Sequence, residues 1–307
     1  MIEVSHLTKK YGSRLAVDDI SFTVEDGVIY GLLGPNGAGK STIMNILTGY
    51  LAATEGQVTV AGHPLPEEAD AAKACVGYLP EQPPLYPEMT VAEYLDFAAE
   101  LKGVKKADRP AQVQSAAHRT GLEDVLPRLI RSLSKGYRQR VGVAQALLHN
   151  PKIMILDEPT NGLDPAGIKD FRDLLSHLAH TQGLAVLVSS HILQEMQLMC
   201  DTVGIINNGR LLRIGSLEEI TSQSSRGLYR YTLRPFDRAV ELLQKNAPDF
   251  ISSVEDGVVE LHLEEDQIPE LNRALMENGV AIYGLAPVNA SLEQSFIDIT
   301  GGGNVIG

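Results

Sequence analysis

The stretch Gly34-Pro35-Asn36-Gly37-Ala38-Gly39-Lys40-Ser41-Thr42 fits G-x-x-x-x-G-K-[ST] and follows an apolar run, Val28 to Leu33, that reads as a buried strand. The glycines let the backbone curl with its N–H groups turned inward, so that a concave nest of partial positive charge can surround an anion. Lys40 adds a full charge for the β- and γ-phosphates, and Ser41 offers a hydroxyl to Mg²⁺. The following Thr42-Ile43-Met44-Asn45-Ile46-Leu47 starts a helix whose N-terminal dipole also favours phosphate. Strand, loop and helix in this order predict an α/β fold that binds a nucleoside triphosphate.

With 307 residues, the chain exceeds one typical domain, and one large domain with a smaller appendage is expected. Ile2–Leu7 and Asp19–Val24 alternate apolar and polar residues, as antiparallel strands with one buried face do, so a small β-layer precedes the loop. Gly56–Gly62 and Val76–Leu79 read as further strands. Pro80-Glu81-Gln82-Pro83-Pro84-Leu85-Tyr86-Pro87 cannot continue the second of these, because proline removes ladder donors and fixes φ. Helical spacing then takes over, with Val91, Tyr94, Leu95 and Ala98 on one face, and predicts a helical subdomain over about 88–150. Strands at Lys152–Leu156 and Leu184–Val188 alternate with helices at Ala166–His180 and Ile192–Met199, which makes the core a mostly parallel sheet.

Two of these strands end in groups that suit phosphoryl chemistry. Lys152 to Leu156 runs into Asp157-Glu158-Pro159-Thr160, where Asp157 suits a metal ion. Glu158, pointing differently if the strand alternates, could polarise a water for in-line attack on the γ-phosphate. Leu184 to Val188 leads to Ser189-Ser190-His191, an imidazole at the ligand edge of such a sheet. Taken alone, His191 is an ordinary histidine, Ser134 an ordinary helix cap ahead of Gly136, and Tyr11 beside Gly12 a packing residue.

A formal net charge of −13 argues against a main surface built for nucleic acid or anionic lipid. The two cysteines, Cys75 and Cys200, lie far apart without C-x-x-C spacing and read as reduced structural thiols. No apolar run approaches the roughly 20 residues that span a bilayer, so any membrane connection runs through a partner chain.

In their order, these motifs resemble the ATP-binding subunit of an ABC transporter over about residues 1–220. The resemblance rests on Gly34–Thr42 (Walker A), Leu133-Ser134-Lys135-Gly136-Tyr137 in place of LSGGQ, and Ile153–Glu158 (Walker B and the acidic base). Asn161-Gly162-Leu163-Asp164 (D-loop) and His191 (switch histidine) complete it. It implies a P-loop ATPase core over 1–222 and Mg²⁺-dependent ATP hydrolysis. Tyr11 would stack on adenine, Lys40 and Ser41 would hold phosphate and Mg²⁺, and Asp157 would support the metal. Glu158 would be the general base, and His191 would contact the γ-phosphate. It also implies a head-to-tail dimer in which Ser134 and Gly136 of one copy, with Asp164 nearby, close over the other copy's ATP.

The family's Gln in the Tyr-Leu-Pro-Gln pattern aligns with Glu81, with Gln82 one place later, so either is a candidate metal contact. Lys135 and Tyr137 depart from the family's usual Gly and Gln, while Ser134 and Gly136 are kept. The signature variant, the Pro-rich loop and the C-terminal extension are similar to single-domain ATPases of bacterial exporters with a separate membrane permease. That implies a cytoplasmic protein peripheral to the inner face of the membrane, with no nucleic-acid partner. The competing class, a soluble ABC ATPase acting on ribosomes or DNA, usually carries two cassettes or long inserted coiled coils, and this chain shows neither.

Residues 223–307 are expected to form a small α+β domain of order βαββαβ, with a terminal helix at Ser291–Ile297 and a flexible Gly301–Gly303 tail. They carry no catalytic constellation, and a regulatory or dimer-supporting role stands beside that of a passive cap.

Overall fold

A computed structural model describes residues 1–216, 219–220, 227–255 and 257–287. The chain divides into two compact units, Met1–Ser216 and Leu217–Gly307. The expected boundary at 222, the terminal helix at Ser291–Ile297 and the glycine tail lie outside the described residues.

The first unit begins with a hairpin of β1 (Ile2–Tyr11) and β2 (Arg14–Val24), paired antiparallel from Ile2↔Val24 to Tyr11↔Arg14. β3 (Ile29–Leu33) is buried at every residue, as its unbroken apolar run requires, and leads through the Gly-rich loop into α1 (Lys40–Leu47). β4 (Glu55–Val60) pairs with β1 and with β5 (His63–Leu65), completing an antiparallel layer of order β2-β1-β4-β5. Its inward residues Ile2, Val4, Val24 and Val58 pack on Ile43 and Met44 of α1, which ties the loop's helix to this layer.

After α2 (Ala69–Ala74), β6 (Val76–Leu79) stops at the Pro-rich loop. The helical subdomain consists of α3 (Val91–Leu101), α4 (Arg109–Thr120) and α5 (Lys135–Leu147), around Tyr94, Leu95, Ala117, Val141 and Ala144. Thr90 and Glu93 cap α3 reciprocally: the Glu93 N–H donates to Thr90 Oγ1 at 3.2 Å, and the Thr90 N–H to Glu93 Oε2 at 2.8 Å. The remaining core elements are β7 (Ile153–Leu156), α6 (Pro165–Ser176), β8 (Ala185–Ser190), α7 (Leu193–Met199), β9 (Thr202–Asn207) and β10 (Arg210–Gly215).

These strands form a six-stranded sheet of order β10-β9-β3-β8-β7-β6, parallel except at β10. The register sets Leu33 beside Ser190 and Leu156 beside Val188, so the loops after β3, β7 and β8 leave the same edge of the sheet. Close packing at that edge selects glycine: a Cβ on Gly34 would stand 2.2 Å from the Ile206 carbonyl oxygen. Gly34→Ala should therefore lose at least about 1–3 kcal/mol in urea unfolding or fail to fold. Parent-like stability would contradict this tight packing.

The second unit runs β11 (Leu228–Arg234), α8 (Phe236–Asn246), β12 (Ile251–Glu255), β13 (Val258–His262), α9 (Gln267–Glu277) and β14 (Ala281–Pro287). Its antiparallel sheet has the order β12-β13-β11-β14, with a core of Tyr231, Leu233, Leu243, Val259, Leu261 and Leu275.

Candidate functional site

The Gly-rich loop turns through two residues with left-handed backbone, Gly37 at φ 82° and Gly39 at φ 111°. A Cβ on Gly39 would stand 2.7 Å from the Ala16 carbonyl oxygen, so glycine is required there by both conformation and space. Pro35 accepts from the Ala38 N–H at 3.2 Å, Gly34 donates to the Ser190 carbonyl at 3.3 Å, and α1 begins at Lys40.

Lys40 is only 6% exposed and folds back over the loop. Its Nζ donates to the Gly34 carbonyl at 2.7 Å and to the Pro35 carbonyl at 3.3 Å, and pairs with Glu158 Oε1 at 3.3 Å. Glu158 Oε2 in turn lies 2.8 Å from His191 Nδ1. A cation, a carboxylate and an imidazole from three loops of one sheet edge thus form a continuous, mostly buried chain.

The direction of Glu158 does not come from strand alternation, as the sequence suggests. β7 ends at Leu156, and Glu158 sits beyond it in a turn with φ 46°, a conformation that costs a non-glycine residue energy. Ser189 secures this turn. Its Oγ accepts from the Glu158 N–H at 2.9 Å and donates to Asp157 Oδ1 at 2.5 Å. Burial and the Asp157 carboxylate push the neighbouring Tyr78 phenol up from its ordinary pKa.

Among the described residues, no cluster of three or more His, Cys, Asp or Glu could hold a metal ion by itself. The chemistry of the donors at this edge nevertheless suits Mg²⁺, which takes few protein ligands and completes its shell with phosphate oxygens and water. Asp157 keeps Oδ2 clear of the Ser189 bond, and Ser41, exposed in the first turn of α1, adds a hydroxyl.

The other sequence candidates lie elsewhere on the same unit. Ser134 caps α5, its Oγ accepting from the Tyr137 N–H at 3.3 Å. Asp164 caps α6, Oδ1 accepting from the Gly167 N–H at 3.1 Å. Ser134, Gly136, Gly162 and Asp164 line one hollow of about 440 Å³. Glu81 and Gln82 are exposed on the Pro-rich loop, and Glu81 Oε1 accepts from Asn161 Nδ2 at 3.0 Å. Tyr11 ends β1, is 47% exposed, and has Lys9 Nζ 5.3 Å from its ring centre.

Two links escape sequence reasoning. Ser189 is one of them. The other joins buried Glu195 on α7 to Thr160, whose hydroxyl donates to Glu195 Oε2 and so ties the loop after Glu158 to the helix after His191. A signal for it exists in an acid placed beside the apolar Met196 and Met199 on a short helix, since a carboxylate on a buried face must find a partner.

The family described as ABC transporter matches residues 17–161. The ABC transporter ATP-binding protein YhcH of Bacillus subtilis (strain 168), itself uncharacterized, is 36% identical over 302 residues, covering 98% of this chain and 96% of its own. The bacitracin transport ATP-binding protein BcrA of Bacillus licheniformis is 35% identical over 306 residues, covering 99% of each chain. The solved dimeric structure of a bacterial ABC transporter cassette superimposes with a TM-score of 0.62 at 25% identity, covering 70% of this chain and 98% of that one. With the phosphate loop, the acidic strand end and the switch histidine gathered at one sheet edge, and with relatives matched from end to end, this chain belongs to the ABC transporter ATP-binding proteins and is an ABC-type ATPase.

Proposed function

We propose that this ATPase powers a separate membrane-spanning permease, in the export direction, and works as a dimer on Mg²⁺-bound ATP at the inner face of the cell membrane. The observation that carries the chemistry is the Lys40–Glu158–His191 chain at the sheet edge. Lys40 and the N–H groups of the Gly34–Thr42 loop hold the β- and γ-phosphates. Ser41 and Asp157 hold the metal, with Glu81 or Gln82 as a further contact; the ion supplies charge neutralisation at the phosphates. Glu158 takes the proton of a water as its oxygen bonds to the γ-phosphorus and the bond to the β-phosphate oxygen breaks, which yields ADP and phosphate. His191 orients the Glu158 carboxylate and contacts the γ-phosphate, and Tyr11 stacks on adenine.

Dimerisation is supported by the separate placement of Ser134, Gly136 and Asp164, which line their own hollow and would close over a second copy's nucleotide. The solved bacterial cassette that superimposes on this chain is dimeric. Transport is supported by BcrA, named for bacitracin transport. Among the described residues, no helix is long and apolar enough to cross a membrane, and a separate membrane-spanning subunit fits that observation.

The Pro-rich loop is the proposed coupling surface. Tyr86 there is 52% exposed and rests its ring against Tyr94 and Phe97 of α3, with centroids 6.2 and 5.6 Å away. Tyr86→Ala should keep basal hydrolysis and reduce permease-stimulated hydrolysis about tenfold, the loss of one interface anchor. Leu85→Ala tests the same loop, although Leu85 also packs on the helical core and its stability must be measured alongside. Unchanged stimulation in a folded Tyr86→Ala protein would move the coupling surface elsewhere.

A further inference from the structure

Lys9 and Tyr11 stand two residues apart at the end of β1, so strand alternation puts both side chains on one face. Lys9 Nζ donates to the Ala52 carbonyl, in the turn between α1 and β4, at 2.7 Å. The same ammonium lies over the Tyr11 ring, 5.3 Å from its centre and within cation–π range. Lys10, on the opposite face, pairs with Glu55 at 3.0 Å. The two adjacent lysines thus differ in their partners: one meets a carboxylate, the other a carbonyl and an aromatic face.

The backbone beneath Lys9 and Tyr11 is held on both sides. The Thr54 N–H donates to the Thr8 carbonyl at 2.8 Å, and the Lys10 N–H donates to Thr54 Oγ1 at 3.0 Å, which ties β1 to the turn before β4. On the other side, Val17 is opposite Lys9 and Leu15 is opposite Lys10, so Ala16 is the extra residue of a bulge in β2. The Ala16 carbonyl is the atom that approaches Gly39 of the phosphate loop. The strand that carries Tyr11 is therefore one strand spacing from a residue in contact with that loop.

The Tyr11 side chain has no such support from packing. It is the last residue of β1 and 47% exposed, and the turn that follows is open: Gly12 has φ 59°, and a Cβ there would meet no atom within 4 Å. An exposed ring in this place samples several rotamers, and fixing one of them opposes binding. The Lys9 ammonium, anchored at Ala52, covers one ring face and restricts that freedom before any ligand arrives. The second face stays free.

We infer that Lys9 is a positioning residue for the nucleotide base: anchored on Ala52, it holds the Tyr11 ring in one orientation and leaves the ring's second face to adenine. The inference rests on the adenine-stacking reading of Tyr11 above and adds the residue that prepares the ring.

The test compares ADP with inorganic pyrophosphate on the full chain by calorimetric titration. Both carry two phosphates for the loop, neither is a substrate of the ATPase reaction, and only ADP carries a base. Lys9→Ala should bind ADP about two- to tenfold more weakly, the effect of ordering one side chain on binding, and should bind pyrophosphate as the parent does. Lys9→Arg should bind ADP within about twofold of the parent, because a guanidinium can both donate to the Ala52 carbonyl and stack on the ring. Tyr11→Ala loses the base stack and should weaken ADP binding about fivefold or more. Adding Lys9→Ala to Tyr11→Ala should weaken it no further, since the lysine acts through the ring.

A Lys9→Ala protein that binds ADP like the parent, beside a Tyr11→Ala protein that binds it weakly, would overturn the inference and leave the adenine reading standing. An equal loss for ADP and pyrophosphate would overturn it as well, since the lysine would then act on the phosphates or on the fold. A Tyr11→Ala protein with the parent's affinity for ADP would remove the adenine reading and this inference together.

Discussion

Glu158→Gln should bind ATP as the parent does and turn it over about 10²- to 10⁴-fold more slowly, the range that a positioned general base contributes. The substitution keeps shape: its amide oxygen can accept from Lys40 Nζ and its amide N–H can donate to His191 Nδ1, at the two positions where the carboxylate oxygens lie 3.3 and 2.8 Å from these nitrogens. An amide cannot take up the proton of the attacking water. The left-handed turn at Glu158, with φ 46° and the Ser189 hydroxyl on its N–H, tolerates the change because neither depends on the side-chain charge. Single-turnover hydrolysis and equilibrium nucleotide binding separate the two effects. A variant that hydrolyses at the parent rate would remove Glu158 from the role of base.

Lys40→Met should have the opposite signature, with binding lost first. The side chain is nearly buried and already points along the loop, donating to the Gly34 and Pro35 carbonyls, so its charge is delivered to bound phosphate with little entropy left to lose. A single charge-assisted hydrogen bond contributes about 1.5–3 kcal/mol, and losing one weakens ATP binding roughly 10- to 150-fold. Contacts to two phosphates would push the loss toward or past the upper figure. The variant also leaves the largely buried Glu158 carboxylate without its ammonium partner, with the His191 imidazole as its remaining side-chain contact. Calorimetric titration with ATP measures the loss, and affinity within threefold of the parent would contradict the placement of Lys40 at the phosphates.

Much of this site is legible in the sequence because a parallel sheet converts sequence order into position. Strands β3, β7 and β8 are short apolar runs buried on both faces, and each run's end marks the ligand edge, so Gly34, Asp157 and His191 converge without any distance being known. Local periodicity likewise picks out the buried face of α3, Val91, Tyr94, Leu95 and Ala98. What escapes is set by contacts distant in sequence. β5 is only three residues long and is held by its pairing with β4, whereas the β9–β10 hairpin carries a local signal in Asn208-Gly209, with φ 48° and 79°. The direction of Glu158 depends on a serine from the neighbouring strand, 31 residues away, that alternation along its own strand cannot reveal. Glu81 meets Asn161 across 80 residues, so its alignment with the family's Gln says nothing of that partner.

The central claim is that hydrolysis at this site drives a separate membrane subunit. Its most direct test is purification of the tagged protein from native membranes in mild detergent, with ATPase activity assayed with and without the membrane-spanning protein that comes with it. The account predicts a co-purifying multispanning subunit that stimulates hydrolysis, with the stimulation abolished by Glu158→Gln. A protein that leaves the membrane fraction entirely, with ribosomes or DNA as its stable companions and no stimulation by any membrane subunit, would contradict it.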